Sequence, residues 1–392
     1  WTESWVAYSA TPQAWTLDAT GGDGLKTVYV RYRDAAGNVG GNPWLTPPEA
    51  EITAQVTLDT VAPTAATPTV AAYNTGATVT VTEGGSTDNA GGSGIETNTL
   101  WYKYTSGGTW TTTGLTAVSG GTFEFTPSSG DGAYYFEVIA EDKAANSTTS
   151  ASCSTNYDAN APTVTNRDPA PSATIITASG ANIDVTFSET VQGVDATDMV
   201  IGGAAAAGAS VGTPTDQGGL TWRFPITGLV AGTLTISLAP DANDIEDLAG
   251  NDLANLGWNY TIVMEVLSVT VSPDQWAIGA QALSYVGESA TYTAANDGNV
   301  AEDFSVKASD GANGWTLENA VGTDAFKVEA DNGDNGSYET VLTTGEQPLA
   351  SDVAVSGSVD VGFRYSAPSG DTQGAETAQD FSITITATRH VP

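Results

Sequence analysis

Cysteine, histidine and basic residues are scarce in this chain, and each shortage closes off a class of function. Cys153 is the one cysteine of 392 residues, so no internal disulfide forms and a small disulfide scaffold is excluded. It lies in Ser150-Ala-Ser-Cys-Ser-Thr155, which alternates like a strand, and reads as a buried small hydrophobe. His390 is the one histidine, two residues from the C-terminal end. A Ser-His-Asp or Cys-His centre therefore has no internal base, and a His-rich zinc site is ruled out. Carboxylate pairs are plentiful enough to hydrolyse sugars, but no spacing singles out a pair, so no enzyme is expected. Eleven Lys and Arg face 46 Asp and Glu, a formal net charge of −35. Nucleic acid and anionic membrane surfaces both need the missing cations. No apolar run approaches the roughly 18–20 residues of a membrane span, so no membrane insertion is expected. The Gly-rich runs Gly91–Gly94 and Gly202–Gly208 do not join a strand to a helix and are not phosphate cradles. The chain opens on Trp1, which reads as a processed or partial product with any export signal upstream.

What is present is a repeated phrase. Asp23-Gly24 is followed by Asp34-Ala-Ala-Gly-Asn38 and then by Asp59-Thr-Val-Ala-Pro63-Thr64. Asp131-Gly132, Asp142-Lys-Ala-Ala-Asn146 and Asp158-Ala-Asn-Ala-Pro162-Thr163 repeat it, and Asp247-Leu-Ala-Gly-Asn251 is a partial third copy. In both full copies the Asp-Gly precedes the next Asp by 11 positions, and the two Pro residues lie 99 positions apart. A period near one hundred residues means tandem domains rather than one large core.

Strand signals are dense and helix signals nearly absent. Val28, Val30 and Tyr32 alternate with Tyr29, Arg31 and Arg33, the two-residue period of a half-buried strand. Tyr134–Ala140, Ile183–Phe187 and Phe381–Ile385 follow the same rule, with Gly, Asn, Asp and Ser clusters between such runs. The expected fold is all-β: tandem Ig-like β-sandwiches arranged as an elongated rod. Four units are expected, at 1–62, 63–161, 162–265 and 266–392, the last divergent. Pro63 and Pro162 restrain their joints, which are too short to be floppy tethers. The first unit offers strands around Trp5–Tyr8, Trp15–Leu17, Thr27–Arg33 and Ile52–Leu58, about two too few for a sandwich. Either its early strands precede Trp1, or another chain supplies them by strand addition.

The first two units resemble bacterial Ig-like repeats of large surface proteins of the S-layer type. The residues that carry this are Trp15-Thr-Leu17, Asp23-Gly24, Lys26–Val30, Asp34–Asn38, Leu58–Pro63, Asp88-Asn-Ala-Gly-Gly-Ser-Gly-Ile95 and the second copy of the phrase. Asp168-Pro169, Val185-Thr-Phe-Ser-Glu-Thr-Val191 and Asp247–Asn251 make the third unit similar to another bacterial Ig-like type. Ala295–Val300 and Phe363–Pro368 resemble CARDB or NEW3 surface modules. These resemblances imply a cell-surface or extracellular location. They carry little about function, because such sandwiches host many roles.

In an Ig-like sandwich the N-terminal entry and the loops after the second and sixth strands share one end. That end of the second unit gathers Asp59, Glu83, Asp88, Glu141 and Asp142. That of the third gathers Asp158, Asn160, Glu189, Asp241, Asp244 and Asp247. Packed carboxylates repel unless a cation neutralises them, and Ca²⁺ takes six to eight oxygens from loops of this kind. The plainer reading is that each Asp-x-x-Gly-Asn is only a turn, with Gly or Asn in the left-handed position. The two readings are compatible. Trp101 and Trp110 beside Tyr102 and Tyr104 read either as core rings or as an exposed platform for sugar or a neighbouring subunit. Trp222, Trp258, Trp276 and Trp315 read as core. Asn146, Asn259 and Asn335 are Asn-x-Ser/Thr acceptor positions.

The expected function is an extracellular structural protein that assembles with copies of itself into a surface layer, sheath or fibre. Calcium stiffens its joints, and a cell-wall or surface glycan is a further partner. The alternatives are the stalk of a bacterial adhesin that binds carbohydrate or protein, and an accessory region of a secreted hydrolase.

Overall fold

The computed structural model describes residues 5–7, 9, 11, 14–17, 19–40, 52–239, 245–373 and 378–391. The described residues are all-β apart from single turns of 3₁₀ helix at Ala196–Asp198 and Ala204–Ala206. It forms two compact units. One comprises Trp1–Thr163, Phe187–Val194 and Asp241–Ala254; the other comprises Val164–Thr186, Asp195–Pro240 and Asn255–Pro392.

The first unit opens with a two-stranded sheet, Gly24–Val30 antiparallel to Ile52–Leu58, and a short ladder of Tyr32–Arg33 with Val39–Gly40. The described residues 5–7 and 14–17 are not in strands, contrary to expectation, while Tyr8 lies outside the described residues. No further strand is present here for them to pair with among the described residues. Leu25, Tyr29 and Tyr32 are exposed as a result.

The sandwich that follows is complete. One sheet runs in the order Tyr73–Asn74, Cys153–Tyr157, Gly132–Asp142, Ile95–Tyr104 and Thr111–Ala117. The facing pair is Val79–Thr82 with Thr122–Phe125. Strand geometry sends alternate side chains to opposite faces. Tyr134, Phe136, Val138, Ala140 and Asp142 accordingly all point inward from one strand. Phe125 packs against Tyr102, Tyr134 and Phe136 with centroids 4.7, 5.6 and 5.1 Å away. The Tyr134 hydroxyl donates to the Gly130 carbonyl at 2.9 Å, the corner bond typical of Ig-like sixth strands. Cys153 packs partly buried against this core, and burial pushes its thiol up to about 11.

In the second unit, Val164–Asp168, Gly180–Phe187, Thr221–Thr227 and Ser210–Val211 form one sheet, to which Thr215–Gly218 adds. Thr174–Thr177, Leu256–Met264, Gly232–Leu238 and Met199–Gly202 form another. A C-terminal sandwich faces Val269–Ser272, Tyr292–Asn296, Ser358–Ser366, Ala325–Asn332 and Thr316–Leu317 against Gln347–Val353, Glu302–Ala308 and Ile383–Arg389. Among the described residues no ladder crosses Pro63, Pro162 or the segment 265–268. His390 sets its Nδ1 2.8 Å from Asp303 Oδ1 on the rim of this sandwich.

The inward strand predicts its own sensitivity. Phe136→Ala is expected to cost about 3–5 kcal/mol by chemical denaturation, through lost burial and a residual cavity. Thr116→Ala, on an exposed strand position, is expected to stay within about 0.5 kcal/mol. Equal effects at the two positions would refute the inward assignment.

Candidate metal centres and the joint clamps

Each copy of the Asp-x-x-x-Asn phrase folds into the same loop. Asp142 Oδ1 accepts from the backbone N of Ala144 and Asn146 at 2.8 and 2.9 Å, and its Oδ2 accepts from Asn146 Nδ2 at 2.9 Å. Asp247 repeats this with Ala249 and Asn251 at 2.7, 2.9 and 2.8 Å. Asp34 repeats it with Ala36 and Asn38 at 2.9, 2.8 and 2.7 Å. The residue before the Asn is left-handed every time: Gly37 at φ 90°, Gly250 at φ 90° and Ala145 at φ 66°. Two copies therefore carry glycine, and the third strains an alanine.

These loops grip the joints. Asn146 Nδ2 also donates to the Asp59 carbonyl at 3.3 Å, and Asn251 Nδ2 to the Asp158 carbonyl at 3.0 Å. The amide of Asn146, an acceptor position by sequence, is thus spent on two oxygens. At the other end of the strand, Asp131 accepts from Ala159 N at 3.0 Å and from the Asn160 side chain. Asp23 does the same for Thr60 N and Oγ1 at 2.9 and 3.0 Å. Strand Gly132–Asp142 accounts for the 11-residue spacing: it carries one clamp at each end. The segment 264–268 is held by a related device, Asn299 Nδ2 donating to the Met264 carbonyl at 2.9 Å and its Oδ1 accepting from Val266 N at 2.8 Å.

Around the first two joints the carboxylates converge. Asp59, Asp88 and Asp142 each place one oxygen within 4.8 Å of the others, and Asp158, Glu189 and Asp247 do likewise. Hydrogen bonds from the Ser93 N–H and hydroxyl, both 2.7 Å, hold the Asp59 carboxyl below its usual range. Asp88 Oδ2 accepts from Gly94 N at 2.6 Å. Asn89 Oδ1 is a buried atom without a partner. It and Asp88 Oδ2 each stand 2.5 Å from where a Cβ on Gly92 would lie. Glu189 goes the other way: burial, then the charges of Asp158 and Asp247, push its carboxyl up.

The remaining expected residues lie elsewhere. Glu83 is buried and closes its own turn, accepting from the backbone N of Gly85, Ser86 and Gly120 and from the Ser86 hydroxyl. Burial raises its carboxyl, but these bonds outweigh it and hold the group low. Glu141 is exposed, because alternation sends it away from Asp142. Asn160 turns to Asp131. Asp241 and Asp244 lie outside the described residues. Asp23 and Asp131 went unassigned in the sequence, although their place in the repeated phrase marked them.

The family model described as a bacterial Ig-like domain matches residues 158–262. No curated protein sequence matches the chain. Among solved structures, the chain is similar to a tetra-tandem repeat from the extending region of a large adhesion protein. That match has 18% identity and a TM-score of 0.25, covering 94% of this chain and 82% of the other. It is similar to the Escherichia coli adhesin FdeC at 14% identity and TM-score 0.31, covering 85% of this chain and all of the other. Fibronectin(III)-like modules of Clostridium thermocellum CbhA match at 14% identity and TM-score 0.23, over 53% of this chain and 93% of theirs. At these scores the structural likenesses say nothing of function.

Two outcomes follow from this geometry. Asn251→Ala is expected to cost about 1 kcal/mol or more and to speed hydrogen exchange at the Ala159 and Asn160 amides; unchanged exchange would show the clamp to be idle. Glu189 binds its proton more tightly folded than unfolded, so its contribution to stability falls as pH rises through the interval between the two values. Glu189→Gln is expected to raise the melting temperature at neutral pH without divalent cations, by roughly 2–4 °C per kcal/mol relieved. A lower melting temperature would remove the repulsion argument.

Proposed function

We propose that this chain is a structural region of an extracellular or cell-surface protein, built from tandem Ig-like sandwiches with braced joints. The carrying observation is the paired clamp: Asn146 on Asp59, Asn251 on Asp158 and Asp131 on residues 159–160. The repeated phrase fastens the first two joints with the same Asn side chain, and Asn299 holds the third segment by a related device. Such repeated fastening suits a protein whose role is mechanical continuity. The bacterial Ig-like match at 158–262 supports the same reading. Copies of the chain joining through exposed sheet edges would extend it into a layer, sheath or fibre.

Calcium is the cation these joints suit. Three carboxylates meet at each of two joints, and hard oxygen donors with no histidine or thiol among them match Ca²⁺ rather than zinc. Burial, then the charges of Asp158 and Asp247, push the Glu189 carboxyl up, and a cation held among the three would favour its ionised form. The adhesin-stalk reading draws on the outer face of the sheet at 95–117. There Lys103 Nζ lies 4.9 Å from the Trp110 ring centre and 5.2 Å from that of Tyr135.

Calorimetric titration with CaCl₂ is expected to show one ion bound at each three-carboxylate group. Saturation at about 100 times Kd would add about 2.7 kcal/mol to stability. Asp247→Asn should abolish one site and Asp142→Asn the other. Electron microscopy of the purified chain with calcium is expected to show regular polymers. Dispersed particles at every concentration would refute self-assembly, and absent heat with an unchanged melting temperature would refute calcium.

A further inference from the structure

We propose that the C-terminal sandwich carries a binding cleft for a neutral oligosaccharide, between its edge strands Val269–Ser272 and Ile383–Arg389. The cleft has a volume of about 1230 Å³. Small-molecule pockets run to roughly 300–1000 Å³, so this one has room for several linked units. It exists because the first strand stops at Ser272. The chain then loops from Pro273 to Tyr285, packing Trp276 and Ile278 against the core along one wall of the cleft.

Trp276, Trp315, Tyr365 and Phe381 line the cleft, with Asp371 and Gln379 among them. Tyr365 and Phe381 are stacked, 5.7 Å apart and 12° from parallel. They form the floor, and the partly exposed rings of Trp276 and Trp315 are the flat faces that accept the C–H face of a pyranose. Trp315 is held in place before any ligand arrives. Its Nε1 donates to Asp371 Oδ1 at 3.2 Å, and its backbone N donates to Gln379 Oε1 at 3.4 Å. Gln379 Nε2 in turn donates to the Asn313 carbonyl at 3.1 Å. Burial pushes the Tyr365 phenol up to about 12, so it stays a protonated donor.

Charge narrows the ligand class. Asp274 and Asp380 join Asp371 around the cleft, and among the described residues no Lys or Arg lines it. A phosphate, nucleotide or uronic acid would meet carboxylates with no cation between. A wholly apolar ligand would strip water from those carboxylates and return no hydrogen bond. A neutral sugar chain meets both halves of the lining, stacking on the rings and donating hydroxyls to the carboxylates. The sequence read Trp276 and Trp315 as core rings. They do pack against the core, but with one side open.

This inference does not rest on calcium or on assembly, so either can fail alone. The test is calorimetric titration of the whole chain with neutral hexasaccharides of β-linked glucose, N-acetylglucosamine, mannose and xylose. At least one is expected to bind. Trp276→Ala and Trp315→Ala should each weaken it about tenfold or more, equivalent to about 1.4 kcal/mol. Trp276→Phe should keep most of the affinity, and Trp110→Ala on the other sandwich should leave it unchanged. Trp276→Phe keeps the test decisive if the alanine variants fail to fold. No binding across the panel, or binding indifferent to both cleft tryptophans, would overturn the proposal. So would Trp276→Ala abolishing self-association while no sugar binds, since that assigns the cleft to a second copy of the chain.

Discussion

A buried carboxylate that must be satisfied is the constraint from which the joints follow. Asp142 and Asp247 are almost wholly buried at the ends of their strands. An ion in that position is expensive unless donors surround it. The chain supplies them locally, two backbone N–H groups and one carboxamide from the next four residues. Because the turn satisfies the Asp from below, the Asn has a second hydrogen to spend on the joint. The same side chain that donates to the buried carboxylate therefore fastens the preceding joint. This is why Asp and Asn recur together.

Elsewhere acidic groups are handled differently, and the contrast sharpens what the joints are for. Glu83 is as buried as Asp142, yet its donors come from its own turn and from Gly120 on a neighbouring turn, and none of them lies at a joint. Glu302 is fully buried in the C-terminal sandwich, with Oε1 accepting from Ser268 N at 2.8 Å and Oε2 unpartnered. Glu329 is met by Lys327 and Arg364 at 2.9 and 2.7 Å. With only eleven basic residues for 46 acidic ones, side-chain cations cannot serve most sites. Backbone N–H groups do that work in the turns.

The aromatic residues divide by strand parity rather than by type. Tyr102 and Tyr104 enter the core, while Trp101 on the same strand faces outward and Trp110 reaches the Lys103 chain on that outer face. In the C-terminal sandwich a shortened edge strand leaves core rings lining a cleft. A missing stretch of strand thus turns packing residues into contact residues without changing their identity.

Local pattern was enough to read the all-β fold, the alternating strands and the turn-forming Asp-x-x-x-Asn phrase, because those depend on neighbours within a few residues. It was also enough to place Asp59, Asp88 and Asp142 at one end, and Asp158, Glu189 and Asp247 at another, since the ends of a sandwich collect fixed loops. It could not separate Glu83 from that group, nor assign Asp131 to Asn160, because each depends on which donor comes within about 3 Å once the sheets have packed. The cleft was equally hidden. Whether Trp276 and Trp315 are covered depends on where an edge strand stops relative to the opposite sheet, and that is decided only when distant segments meet.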